Sequence, residues 1–242
     1  MLSWPAPTAR TTALTRSTRS LAGTKIKTTV DDTALVERRR AQLTQAAITC
    51  FSERGYHSTT IRDVAEGADV SIGLIYQYIG DKEDLLLMAL QEVLNTYMRQ
   101  IPLALDGIAD PLQRFCVAVR AYARVNGSSV DATVLAYRET KSLRKERRSL
   151  IMQKEIETNE LIAACVRDCI DAGLFEPIDV DMFVYQIVMF SHAWALKAWH
   201  FAKTMDVDTY VERGLRLMLM GVLTRAGAKR MTKLEAEGKP DG

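Results

Sequence analysis

The chain has 242 residues, a formal net charge of +2, 48% hydrophobic and 26% charged residues. Those values predict one or two globular domains with an ample core, and the charge is too small to point to nucleic acid by itself. The four cysteines, Cys50, Cys116, Cys165 and Cys169, all fall in apolar helical patterns, so they read as buried small hydrophobes of a reducing cytoplasm.

Residues 1–34 are poor in large apolar side chains and carry five cations, Arg10, Arg16, Arg19, Lys25 and Lys27, with no acid before Asp31. That is the composition of a disordered arm or of an over-extended gene start. It equally suits an arm on DNA phosphate or in the minor groove. No apolar h-region of a signal peptide is visible.

The DNA-binding unit is expected over 35–90. A first helix is predicted from about Leu35 to Arg54, with Leu43, Ala46, Ala47, Cys50 and Phe51 on one buried face and Gly55 as its stop. Thr59 or Thr60 caps a second helix with Ile61, Val64 and Ala65 inward. Ala68-Asp69-Val70 makes a tight turn, Ser71 caps a third helix over about Ile72–Tyr78, and Asp81 caps a fourth. Two short helices joined so tightly cross steeply, which lets the second lie in the DNA major groove.

The remainder, over 91–225, reads as helix throughout. Pro102 ends or kinks the fourth helix. Asp110-Pro111 opens a fifth to about Asn126. Val130–Ser142 and Ser149–Ala172 follow, the latter stopped by Gly173, then Asp179 or Val180 to about Lys203, and Val207–Arg225. Residues 226–242 read as a loose polar tail. The stretch Phe183–Ala202 is nearly all apolar, but Gln186, His192, Lys197 and His200 argue for a helix buried on both sides rather than a membrane span. The fold expected is all-α, a three-helix helix-turn-helix domain followed by a helical domain.

The run from Thr59 to Leu86 resembles the DNA-binding domain of the TetR family of one-component bacterial regulators. The Thr59-Thr60-Ile61 opening, Val70-Ser71-x-Gly73, the Tyr76-x-Tyr78 pair and Lys82-Glu83-x-Leu85 carry it. The resemblance implies DNA contacts at Thr60, Ser71, Gly73, Leu74, Tyr76, Tyr78 and Lys82. The residues agree chemically. Hydroxyls and free N–H groups at helix starts suit phosphate, Gly73 permits close approach, and Gln77 reaches a base edge or phosphate. Arg62 adds a cation, and Ile72 starts the same surface. Helical spacing also suits Ile72, Ile75 and one of the two tyrosines to the core. Leu74 stands where the family commonly has a polar residue, and Ile79 where an aromatic is usual. From Leu35 to Leu85 there are six basic and eight acidic residues. Binding is therefore expected to rest on placed cations at Arg38, Arg39, Arg40, Arg62 and Lys82, helped by the basic arm, with moderate salt dependence.

Residues 98–225 resemble, more loosely, the ligand-binding and dimerisation domain of that family. This implies a homodimer formed through the last two helices, reading a palindromic double-stranded operator, with no membrane and no cofactor. Ala136–Leu143 and Ser191–Phe201 resemble segments of members that sense fatty or aromatic acyl-CoA thioesters. Tyr137, Trp194 and Trp199 would line an apolar pocket, and Arg138, Lys141, Lys197 and His200 would meet phosphates or a carboxylate. The bundle core for the tryptophans and a solvated face for Arg138 and Lys141 are the alternatives. Cys165 and Cys169, at i and i+4, lack further ligands at metal spacing. There is no metalloprotease motif, phosphate loop or serine elbow, and His57, His192 and His200 lack carboxylates at useful spacing. The function expected is a cytoplasmic, ligand-released repressor. An activator or constitutive DNA binder of the same fold, or a helical enzyme, are the other readings.

Overall fold

Aspartates and hydroxyls set most of the helix starts. Asp32 accepts the Leu35 amide at 3.0 Å and opens α1 (Thr33–Arg54). Thr60 and Asp63 exchange reciprocal bonds, a capping box that opens α2 (Ile61–Gly67), and Ser71 accepts the Leu74 amide to open α3 (Ile72–Ile75). A second capping box, Asp81 with Asp84, opens α4 (Lys82–Leu105). Then follow α5 (Pro111–Ser128), α6 (Val130–Glu139), a 3-10 turn Thr140–Ser142, α7 (Lys145–Asp171), α8 (Val180–Leu196), α9 (Ala198–Phe201), α10 (Val207–Leu219) and α11 (Arg225–Glu237). The computed structural model describes residues 26 and 28–237, among which the only extended pairing is a single bridge between Phe175 and Leu223. The arm cations Arg10, Arg16, Arg19, Lys25 and Lys27 lie outside the described residues.

The chain is all-α, as its apolar periodicity predicts. Helix α1 packs on α2, α4 and α6, and α4, α5, α7 and α8 surround the main core. Leu112, Phe115, Ala118, Val119, Ile162, Val166 and Ile187 are fully enclosed there. No described helix is long and apolar enough to cross a membrane.

Five expected boundaries move. Helix α3 ends at Ile75, because Gln77 and Tyr78 donate to Leu74 and Ile75 only three residues back, tightening the last turn. Helix α4 runs on past Pro102 to Leu105. Helix α7 starts at Lys145, a turn earlier than Ser149. The helix expected to reach Lys203 breaks at Lys197 (φ −123°, ψ 24°) into α8 and α9. The last predicted helix stops at Leu219, and residues 225–237 are not a loose tail but α11. There Met231 and Leu234 pack on the core, Arg230 pairs with Asp110 at 2.7 Å, and Gly227 lies against the Leu174 carbonyl so closely that a Cβ would overlap it. The tail reads as polar because α11 covers only a narrow stripe of α5 and leaves its other sides in water.

Candidate nucleic-acid interface and effector cavity

The turn between α2 and α3 is closed by Val70 donating to Ala65 at 2.9 Å, with Asp69 in the left-handed region at φ 51°. Val64, Ala65, Ala68 and Ile75 are buried under it, which fixes the two helices against α1. Gln42 adds a donor from α1 to the Ala68 carbonyl at 2.6 Å.

The outer side of this pair gathers Thr60, Arg62, Ser71, Gly73, Tyr76 and Gln77, all exposed, with Ile72 41% exposed beside them. A Cβ added to Gly73 would meet no atom of the protein within 4 Å, so nothing inside the fold requires glycine there. Leu74 is half-buried against the core. Tyr78 must be taken out of the expected contacts: at 3% exposure its side chain is core, because three residues after Ile75 it returns to the inner face. Tyr76, half exposed, is the outward member of the pair.

Two expected cations are engaged within the protein. Arg40 donates to the Tyr78 carbonyl at 3.3 Å and to the Ile26 carbonyl at 2.9 Å, pinning both the end of the recognition turn and the segment before α1. Thr29 and Thr28 also donate to the Gln77 carbonyl, at 3.0 and 2.9 Å. Lys82 donates to the His57 carbonyl at 3.1 Å and sits 4.5 Å from the centre of the Tyr56 ring. Arg38 and Arg62 stay exposed, and Arg39, half-buried, bonds Gln42 at 2.9 Å.

The net-acidic count of this domain is offset from its neighbour. Arg144 contacts Asp81 and Glu83, and Arg147 contacts Asp81, Glu83 and Asp84. The Arg144 amide also donates to Glu83 at 2.7 Å. Against the cost of burial, the Asp84 amide and the Arg147 charge hold the Asp81 carboxyl below its ordinary value. His57 adds a contact that sequence spacing did not reveal, 3.8 Å from Glu139 at the end of α6. The reading head is thus tied to the corner between α6 and α7.

That corner borders a cavity of about 400 Å³ between α4, α5, α6, α7 and α8. Leu90, Val93, Leu94, Ile151 and Met189 make its apolar walls, and Tyr97, Tyr122, Thr133, Tyr137, Glu155 and His192 its polar ones. Burial lowers the His192 imidazole to about 4, so it is neutral at pH 7. Tyr97 donates to Asn126 Oδ1 at 2.5 Å, and its ring stacks on that of Tyr122 with centroids 4.1 Å apart. Tyr122 hydrogen-bonds His192 Nε2 at 3.0 Å and Tyr137 hydrogen-bonds Nδ1 at 2.8 Å, the neutral ring donating to one of them and accepting from the other. The Tyr137 hydroxyl also reaches Met189 Sδ at 3.4 Å, so it has an acceptor whichever tautomer the ring adopts.

Of the expected effector residues, Tyr137 alone lines this cavity. Arg138 and Lys141 are exposed, each the next residue in the chain after a lining residue, Tyr137 and Thr140. Trp194 is 7% exposed in the core, packed on Tyr210 and Phe201, and two residues past His192 it faces another side of α8. Trp199, 68% exposed, and Lys197, at the α8–α9 break, lie outside the cavity lining, as does exposed His200. Tyr97, Tyr122, Glu155 and His192 were the residues that sequence reasoning missed. Their separation over four helices gives no local spacing to read. Cys165 and Cys169 are buried, and no group of metal-ligating residues is assembled among the described residues.

Met182, Tyr185 and Met189 on α8, Leu217 on α10 and Met220 just after it are exposed large apolar side chains. Gly214 lets the two helices meet closely, since a Cβ there would overlap the Phe190 ring.

Residues 43–89 match the family model of bacterial regulatory proteins, tetR family, and residues 109–199 that of a tetracyclin repressor-like C-terminal domain. The HTH-type transcriptional regulator HbdR of Aromatoleum sp. (strain CIB) is 47% identical over 209 residues, 86% of this chain and 91% of the relative. A tetR-family regulatory protein from Rhodococcus RHA1 superposes with a TM-score of 0.68 at 23% identity, over 76% of this chain and 96% of that one. AibR, solved with isovaleryl coenzyme A and operator DNA, superposes with a TM-score of 0.64 at 16% identity, over 74% and 97% of the two chains.

Proposed function

This chain belongs to the TetR family of DNA-binding transcriptional regulators, and on that premise we propose that it is a cytoplasmic repressor released from a palindromic operator by a small effector. The observation that carries the DNA side is the outer face of α2 and α3. There Thr60, Arg62, Ser71, Tyr76 and Gln77 surround a glycine whose missing side chain serves no need of the fold. An α-helix stripped of bulk at that point comes closer to the groove floor, while hydroxyls and helix-start amides meet phosphate. Ile72 and half-buried Leu74 offer apolar contact to thymine methyls, and Lys82, though tethered, borders the same surface.

The cavity at Tyr137 and His192 is the effector site in this reading. Its apolar walls fit an acyl group. Exposed Arg138 and Lys141 beside it suit the phosphates of coenzyme A carried outside. The solved neighbour holding isovaleryl coenzyme A supports that class of effector. Two copies joined through the apolar faces of α8 and α10 would present two reading heads to two half-sites. Ligand between α6, α7 and α4 bears on the arginine clasp at Asp81, Glu83 and Asp84. It shifts the DNA-bound state only by its differential affinity for the two states.

The test is a gel shift on DNA selected in vitro by the protein, with and without a panel of aliphatic and aromatic acyl-CoAs. Release by one or more is expected. Retention of DNA with every member would sink the effector class and leave the DNA-binding reading standing.

A further inference from the structure

The lining of the Tyr137–His192 cavity has no spare hydrogen-bond donor. Tyr97 and Thr133 both donate to Asn126 Oδ1, at 2.5 and 3.2 Å. Tyr122, 1% exposed, and Tyr137 hydrogen-bond the two ring nitrogens of His192 at 3.0 and 2.8 Å, and the Tyr137 hydroxyl hydrogen is engaged with either tautomer, on His192 Nδ1 or on Met189 Sδ at 3.4 Å. The Thr140 hydroxyl donates to the Ala136 carbonyl at 2.7 Å. No lysine or arginine lines the cavity. What remains open is acceptor capacity, and most of it belongs to Glu155.

Glu155 makes no hydrogen bond or ion pair among the described residues, and burial pushes its carboxyl above the ordinary value. Asn159, one turn further along α7 and also unpartnered, lies outside the cavity lining, so the open polar group facing a ligand is Glu155. A buried polar group without a partner is costly, so a ligand that completes it gains by doing so. An anion brought against this lining would meet no cation and no free donor among the lining residues.

Given that this cavity is the effector site, we propose that Glu155 sets its selectivity. The part of the effector held here carries a hydroxyl or amide N–H that the Glu155 carboxyl receives, and carries no carboxylate. The sensor therefore separates neutral, donor-bearing molecules from free acids of the same shape.

Three probes of one shape test this: benzyl alcohol, toluene and benzoate, titrated by ligand-observed NMR against the full chain and its Glu155→Leu and Glu155→Gln variants. The wild type is expected to favour the alcohol over toluene by roughly tenfold, the effect of one hydrogen bond to a buried carboxyl, and to bind benzoate weakest. Glu155→Leu removes the preference for the alcohol. Glu155→Gln, which keeps an acceptor oxygen, retains it. Toluene or benzoate bound as tightly as the alcohol by the wild type overturns the proposal. So does a preference that survives in the leucine variant, or no binding of any probe. None of these readings involves coenzyme A, so failure of acyl-CoAs to release DNA is a separate result.

Discussion

Arg147 reaches from α7 to the Asp84 carboxylate at the base of the reading head, and only 15% and 3% of the two side chains remain exposed. Asp84 also receives the Gly80 amide at 2.7 Å and closes the capping box of α4. One aspartate therefore starts the long helix, ends the recognition turn and anchors the neighbouring domain.

Arg147→Met is expected to lower the unfolding free energy by about 3 kcal/mol, because the partner carboxylates stay buried without their cation. Urea denaturation measures it. The acid limb should move as well. Asp81 is held below its ordinary value of 3.8, so its contribution is complete above that pH and is lost as pH falls through the lower folded value. With Arg147 gone, acid unfolding should begin at higher pH. An unchanged urea midpoint would show that the clasp contributes nothing.

His192 gives a second pH dependence at a different place. Its folded value of about 4 lies below the ordinary 6.5, so the unfolded chain takes up the proton first. Stability is complete above about 6.5 and declines by about 1 kcal/mol per pH unit as pH falls from there towards 4. Chemical denaturation at a series of pH values should show the slope, and His192→Gln should flatten it.

Gly73→Ala separates fold from function. No protein atom opposes the new methyl, and alanine favours helix over glycine by about 1 kcal/mol, so thermal stability should hold or rise. Affinity for selected DNA should fall by roughly tenfold or more, the equivalent of about 1.4 kcal/mol. Tyr76→Ala should weaken binding too. Tyr78→Phe, a change within the core, should leave DNA affinity within about twofold.

Leu217→Asp combined with Met220→Asp should give a folded monomer by analytical ultracentrifugation, with operator affinity reduced to that of one half-site. Both side chains are among the most exposed large apolar ones, so a charge there costs the isolated subunit little. A dimer that persists would place the partner surface elsewhere.

The reading head was legible in the sequence because its signals are local. Thr60, Ser71 and Asp81 cap within three residues, and Asp69 turns the chain between two apolar runs. The outward or inward choice between Tyr76 and Tyr78 was not, because the tightened turn after Ile75 alters the helical phase on which that choice depends. The cavity was legible only at Tyr137. Trp194 and His192 lie two residues apart on one helix, and only the packing of α10 and α5 decides which faces the core and which the cavity. Residues 225–237 were missed because α11 depends on tertiary contacts, Arg230 with Asp110 and Gly227 with Leu174, that carry no sequence spacing.

Helix α4 holds Leu90, Val93, Leu94 and Tyr97 on the cavity wall and Asp81 at its other end, with no break between. At about 1.5 Å per residue, Asp81 stands about 24 Å from Tyr97 along the axis. A tilt of about 5° about Tyr97 would carry Asp81 sideways by about 2 Å over that length. In a two-fold dimer the second arm moves as the rotated copy of the first, so whatever part of that displacement lies along the line between the reading heads counts twice in their spacing. In the proposed dimer, the span of DNA that the pair straddles would then be geared to a movement at the cavity smaller than the width of one methyl group.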